Sequence, residues 1–117
     1  MKPSKPASKE RLKHILDCIG NIESFVEGYS SDQFQDDLKV YYACLYQFAV
    51  IGEAIANLDQ QILDRYDYPW YQVKSFRNFI MHEYHAVDAG VVWDTIQLVL
   101  PEFREQIQEI LAKEFES

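Results

Sequence analysis

Arg77, His82 and Tyr84 carry the chemistry that this sequence offers most clearly. They stand in Arg77-Asn78-Phe79-Ile80-Met81-His82-Glu83-Tyr84, an R-x4-H-x-Y arrangement. An arginine and a histidine are a minimal kit for cleaving RNA without a metal. The histidine can take a proton from a ribose 2′-hydroxyl near neutral pH. The arginine can stabilise charge on the phosphate under attack. The tyrosine offers a hydroxyl whose modification would switch such a site off. The same residues also suit a helix end with a solvated arginine and a capping histidine, so context must decide.

Several neighbours bear on that choice. Asn78 can hydrogen-bond His82 or the scissile phosphate, or simply face solvent. His85 reads as a surface residue rather than a second catalyst. His14, beside Arg11 and Lys13, is given no role. Glu53 follows Gly52 inside an apolar stretch, where a carboxylate is costly unless paired. Arg77 is a candidate partner; escape of the charge to solvent beside Gly52 and Ala54 is the alternative. On one continuous helix Arg77 and His82 would point about 140° apart. Arg77 and Tyr84, seven apart, nearly align, and Asn78, His82 and His85 share another stripe. Either the helix stops before His82 and the chain swings it back, or a two-fold dimer sets the arginine of one copy near the histidine of the other.

The elements that must position these residues read as helices throughout. Residues 1–7, with two prolines and two lysines, form a flexible N-terminal arm; residues 8–117 form a single domain. Ser8 caps a first helix with Leu12, Ile15, Leu16, Ile19, Ile22 and Val26 on one face, ended by Gly28. Ser30-Ser31-Asp32 cap the next, with an apolar stripe through Phe34, Leu38, Tyr41, Tyr42, Leu45, Phe48, Ile51, Ile55 and Leu58. A stripe this wide asks for contact on two sides, with two helices or with a helix and a second subunit. Asp59–Tyr66 is a short helix or turn. A third main helix runs from about Pro69 to about Met81, with Asp67 or Tyr68 near its cap. The polar stretch His82–Val87 ends it. Asp88 caps a last helix through Val91, Trp93, Ile96, Leu100, Phe103, Ile107 and Leu111, in which Pro101 would place a kink. The fold class is therefore all-α: an antiparallel bundle of four to five helices with short connections.

Composition narrows the classes further. Apolar residues make up 48% of 117, enough for a packed core. Cys18 and Cys44 sit in apolar helical patterns and read as small buried hydrophobes, neither a disulfide framework nor a zinc site. No Gly-rich phosphate loop appears, and no cofactor or metal is expected. The polar start and the lack of a long apolar run point to the cytoplasm and away from membranes. The formal net charge of −8 opposes general nucleic-acid binding, so any RNA contact must be local or built by a dimer groove. It equally suits a basic protein partner.

With the motif and its frame laid out, the chain resembles the HepT-like toxins of the HEPN superfamily. The likeness rests on Arg77-Asn78-x3-His82-x-Tyr84 together with Arg11-x2-His14-Ile15-Leu16, Ile51-Gly52-Glu53-Ala54, Pro69-Trp70, Val87-Asp88, Val92-Trp93-Asp94-Thr95-Ile96 and Leu100-Pro101. These blocks span about residues 10–112. The resemblance implies a dimeric helical bundle whose R-x4-H motifs line a cleft. It implies a metal-independent endoribonuclease acting on RNA such as tRNA or mRNA, in a type VII-like toxin–antitoxin pair. Its partner would be an MNT-type nucleotidyltransferase antitoxin that adenylylates Tyr84. Arg77, His82 and Asn78 would be catalytic; Glu53 is a candidate supporting residue on its own position in the apolar stretch, not on the resemblance. Tyr68 before Pro69-Trp70 departs from the aliphatic residue common there, a matter of packing.

Overall fold

A computed structural model describes residues 5–115, with side chains from residue 7 onward. Among these residues every regular element is helical. The main helices are α1 (Lys5–Phe25), α2 (Ser31–Asp36), α3 (Leu38–Ala56), α4 (Gln60–Leu63), α5 (Trp70–Glu83), α6 (Ala89–Asp94) and α7 (Leu100–Phe115). α1 packs on α3 and α7, α3 also packs on α5, and α2 braces α3 and α6. The core threads Leu12, Ile15, Ile19 and Ile22 of α1 between Cys44, Ile51 and Ile55 of α3 and Ile107 and Ile110 of α7. The buried part of the wide apolar stripe is covered on two sides by α1 and α5, while Leu38 and Tyr42 remain exposed.

The first helix differs at its start. Lys5–Ala7 are already helical, and residues 1–4 of the expected arm lie outside the described residues. Ser8 is therefore not a cap. It is fully buried, and its hydroxyl accepts the backbone N–H of Asp59 at 3.2 Å, tying α1 to the start of α4. At the other end Gly28 takes a positive φ of 79°, which lets the chain reverse after α1.

The expected second helix is two. Ser30 forms a capping box with Gln33 at the start of α2. Asp37 then leaves helical geometry and caps α3, its Oδ1 accepting the Val40 N–H at 3.1 Å. Its Oδ2 accepts the Tyr29 hydroxyl at 2.7 Å, and that bond, followed by the one from Val40, holds the Asp37 carboxyl below its usual range. The last helix also departs from expectation. Instead of a kink at Pro101, a π-helical segment (Thr95–Val99) joins α6 to α7, with the Leu100 N–H reaching back to the Thr95 carbonyl. Proline has no N–H to donate and its ring crowds the carbonyl four residues earlier; a widened turn just upstream absorbs both demands.

Cys18 and Cys44 are buried and unbridged, as their apolar surroundings imply, and burial pushes the Cys44 thiol up to about 12. Among the described residues no helix is long and apolar enough to cross a membrane.

Candidate active site

The site begins with a backbone approach. α5 lies so close to α3 at Gly52 that a Cβ there would stand 2.2 Å from Cβ and 2.7 Å from Cγ of Arg77. Carbon atoms normally meet at about 3.5–4.0 Å, so only glycine admits the arginine stem at this point. Phe48 of α3 meets Phe76 of α5 edge-on at 5.4 Å, just inside the same seam. Arg77 is thereby fixed at the rim of the α3–α5 contact rather than on the free side of α5.

Its guanidinium is held from both ends. Nη2 donates to Glu53 Oε2, and Nη1 donates to Asn78 Oδ1 at 2.6 Å. The Arg77 side chain is 28% exposed and that of Glu53 51%, so the pair sits at an open rim. Glu53 thus takes the partner proposed for it while also reaching solvent. Asn78 is engaged with Arg77 and not with His82.

α5 continues to Glu83, two residues beyond the expected end, so His82 lies on the same helix as Arg77. Of the two ways to bring them together, the broken helix is removed. The two side chains leave α5 about 140° apart, with Cα positions about 7.5 Å apart along the axis. Arg77 is turned to α3; His82 is turned to solvent. Among the described residues no group hydrogen-bonds the His82 ring. Tyr71, Phe79 and Met81 on the same helix are exposed as well.

Tyr84 opens a 3-10 turn (Tyr84–Ala86), and its ring is 56% exposed. The turn is anchored from α3: the Tyr41 hydroxyl donates to the Val87 carbonyl at 2.6 Å. Asp88 then caps α6 through Gly90 and Val91 N–H groups, fixing the exit from the turn. His85 stands on the turn, exposed, edge-on to Tyr84 and 3.9 Å from the Glu83 carboxylate. The turn takes it off the stripe it would share with Asn78 and His82.

The entry to α5 is set differently from the sequence reading. Pro69 is the cap residue, no side chain caps the helix, and the Trp70 indole N–H donates to the Leu63 and Tyr66 carbonyls at 3.1 and 3.3 Å. A cavity of about 290 Å³ lined by Phe48, Tyr68, Val73, Phe76, Val99 and Phe103 lies along α5 and includes neither Arg77 nor His82. Among the described residues no cluster of His, Cys, Asp and Glu could hold a metal.

What sequence reasoning missed is the role of Gly52. A glycine beside a carboxylate in an otherwise apolar helix was the available signal.

The chemistry on view is one oriented guanidinium, one solvent-facing imidazole and one exposed phenol, all on α5 or the turn that ends it. Comparison with known proteins gives this arrangement its setting. A protein of Caldanaerobacter subterraneus subsp. tengcongensis, provisionally named an RNase, is 35% identical over 105 residues, covering 88% of this chain and 93% of that one. A Thermococcus cleftensis protein named "Probable ribonuclease HepT" is 26% identical over 107 residues, covering 91% and 97%. A Methanocaldococcus jannaschii protein, named a gamma-glutamylcyclotransferase and provisionally an RNase, is 30% identical over 101 residues, 86% of this chain and 46% of that longer one. No solved structure matches the chain. Residues 15–110 match the family described as Ribonuclease HepT-like, and the chain belongs to that HEPN-type ribonuclease family.

Proposed function

We propose that this protein is a metal-independent endoribonuclease toxin whose site is completed across a two-fold dimer. One observation carries the reading: Arg77 is fixed at the α3–α5 rim while His82, on the same unbroken helix, faces outward. One copy cannot close both groups on one phosphate. A second copy facing α5 can, and the exposed Tyr71, Phe79 and Met81 suit such a contact. The dimer also answers the net charge. α5 carries Lys74, Arg77 and His82 against Glu83 alone, so two copies bring together helices that are not acidic in an acidic chain.

In this reading His82 removes the proton from a ribose 2′-hydroxyl. The 2′-oxygen attacks phosphorus, the bond to the 5′-oxygen breaks, that oxygen takes a proton from water, and Arg77 stabilises the charge on the five-coordinate phosphate. Asn78 steadies the arginine. The products are a 2′,3′-cyclic phosphate and a 5′-hydroxyl. A neighbouring MNT-type nucleotidyltransferase adenylylates Tyr84 and so acts as the antitoxin of a type VII-like pair. Tyr84 suits this role because it is exposed and stands two residues past His82, at the end of the helix that carries Arg77.

A non-catalytic module that positions the nucleotidyltransferase is the second reading. The net charge of −8 and the pairing of Arg77 with Glu53 favour it. Purified chain incubated with RNA in EDTA separates the two. Cleavage leaving 2′,3′-cyclic ends, lost in Arg77→Ala and His82→Ala, supports the enzyme. Intact RNA, or cleavage that survives His82→Ala, supports the module.

A further inference from the structure

We infer that Glu53 is a positioning residue for Arg77, working with Gly52 as one device: the glycine admits the arginine stem and the carboxylate sets the plane of its guanidinium. This deepens the proposed nuclease reading and rests on it.

The argument starts from what an arginine must do at a phosphate. Its planar fork recognises oxygens in pairs, so orientation matters as much as charge. A free arginine carries several rotatable bonds and must lose that freedom when substrate arrives. Arg77 has lost most of it beforehand. Its Cβ and Cγ are pressed into the space left by Gly52, below any distance a side chain there would allow. Beyond the stem, Glu53 Oε2 accepts from Nη2 and Asn78 Oδ1 accepts from Nη1. Of the five N–H donors of a guanidinium, two are used and three remain. The group is held but not consumed.

Gly52 and Glu53 are adjacent on α3, so one turn of one helix fixes both the root and the tip of a side chain on another. The Asn78 contact is local to α5 and would travel with it; the α3 contacts are what tie the guanidinium to the body of the fold. The carboxylate is half exposed, so its charge also opposes the approach of a phosphate. Orientation and local potential therefore pull in opposite directions at this residue, and that opposition makes the role measurable.

The test is steady-state cleavage of a defined RNA by parent, Glu53→Ala, Glu53→Gln, Arg77→Ala and His82→Ala, with guanidinium NMR signals of Arg77 recorded for parent and both Glu53 variants. Misplacing an oriented group by an ångström costs on the order of 10²-fold in rate. Glu53→Ala should therefore lower kcat by about 10–100-fold while KM stays level or falls, because a repelling charge has gone. Glu53→Gln keeps an acceptor without the charge and should recover most of the lost kcat. In NMR the Arg77 Nη signals should be resolved in the parent and in Glu53→Gln and averaged by free rotation in Glu53→Ala. A Glu53→Ala enzyme with unchanged or higher kcat overturns the inference while Arg77→Ala remains inactive and the nuclease reading stands. If Arg77→Ala and His82→Ala cleave as the parent does, the nuclease reading fails instead. The NMR comparison then decides alone, and unaltered Arg77 signals in Glu53→Ala overturn the positioning role.

Discussion

Replacing Gly52 with alanine tests the packing that sets Arg77, and its sign is not the one that helix propensity gives. In a helix interior alanine is better than glycine by about 1 kcal/mol. Here the new Cβ would lie 2.2 Å from Arg77 Cβ, 2.7 Å from Cγ and 3.3 Å from the Val73 carbonyl. Against an ordinary carbon contact of about 3.5–4.0 Å, the shortfall at Arg77 Cβ is roughly 1.3–1.8 Å. The atoms in the way include a Cβ, which moves only with its backbone, so α3 and α5 must separate. Overpacking of this kind costs about 1–3 kcal/mol, and a shift larger than a methylene puts this case near the top of that range. After the propensity gain the net loss is about 1–2 kcal/mol, or roughly 4–10 °C in Tm for a domain of this size. Gly20 supplies the internal control. It also lies within a helix, α1, but nothing comes within 4 Å of a Cβ built there. Gly20→Ala should raise stability by about 0.5–1 kcal/mol. Chemical denaturation of parent, Gly20→Ala and Gly52→Ala gives the comparison. A Gly52→Ala protein as stable as Gly20→Ala would refute the close approach, and with it the account of how Arg77 is fixed.

Three further outcomes follow from other parts of the molecule. Asp37→Ala removes the cap of α3 and should cost about 1 kcal/mol in urea melts, whereas a change within ±0.3 kcal/mol would mean that Tyr29 and Val40 find other partners. The Tyr66 hydroxyl is pushed up to about 12, first by burial and then by its hydrogen bond to Glu114; a raised folded value means stability that is intact below pH 10 and lost as pH rises through 10 to 12. Denaturation midpoints at successive alkaline pH values should fall less steeply in Tyr66→Phe than in the parent. Co-expression with an MNT-type nucleotidyltransferase, the antitoxin proposed above, should add AMP-sized mass to the peptide carrying Tyr84 and none to Tyr84→Phe; an unmodified Tyr84 in a neutralised complex would show that the proposed antitoxin works by binding alone.

How far the sequence was legible depended on where each residue's determinants lie. The helices of the core could be read because Leu12, Ile15, Ile19 and Ile22 repeat with a period that only a buried helix face explains. The cap at Asp88 was readable as a side chain that starts a helix after a polar stretch. Asp37 was not, because the apolar stripe continues through it from Phe34 to Leu38 and Tyr41; its effect comes from Tyr29, eight residues away. Ser8 was misread for a similar reason, since its partner Asp59 is fifty-one residues on. The π segment was hidden because proline signals that a helix must adjust without saying where. At the candidate site, the residue types and spacing of Arg77, His82 and Tyr84 were legible locally, but the contact that holds Arg77 is tertiary. Gly52 and Glu53 announce something unusual in an apolar helix, and only the crossing of α3 and α5 says what it is.

The central claim is that the arginine of one copy works with the histidine of another, and mixing two inactive variants tests it directly. Arg77→Ala and His82→Ala are purified separately, shown to be inactive on RNA, then unfolded together and refolded so that subunits exchange. In a mixed dimer one site lacks both groups, while the other receives Arg77 from one chain and His82 from its partner. Random mixing makes about half the dimers mixed, each with one intact site of two, so about a quarter of the parent rate should return. A mixture that stays as inactive as either variant alone, though light scattering shows it dimeric, would contradict the claim.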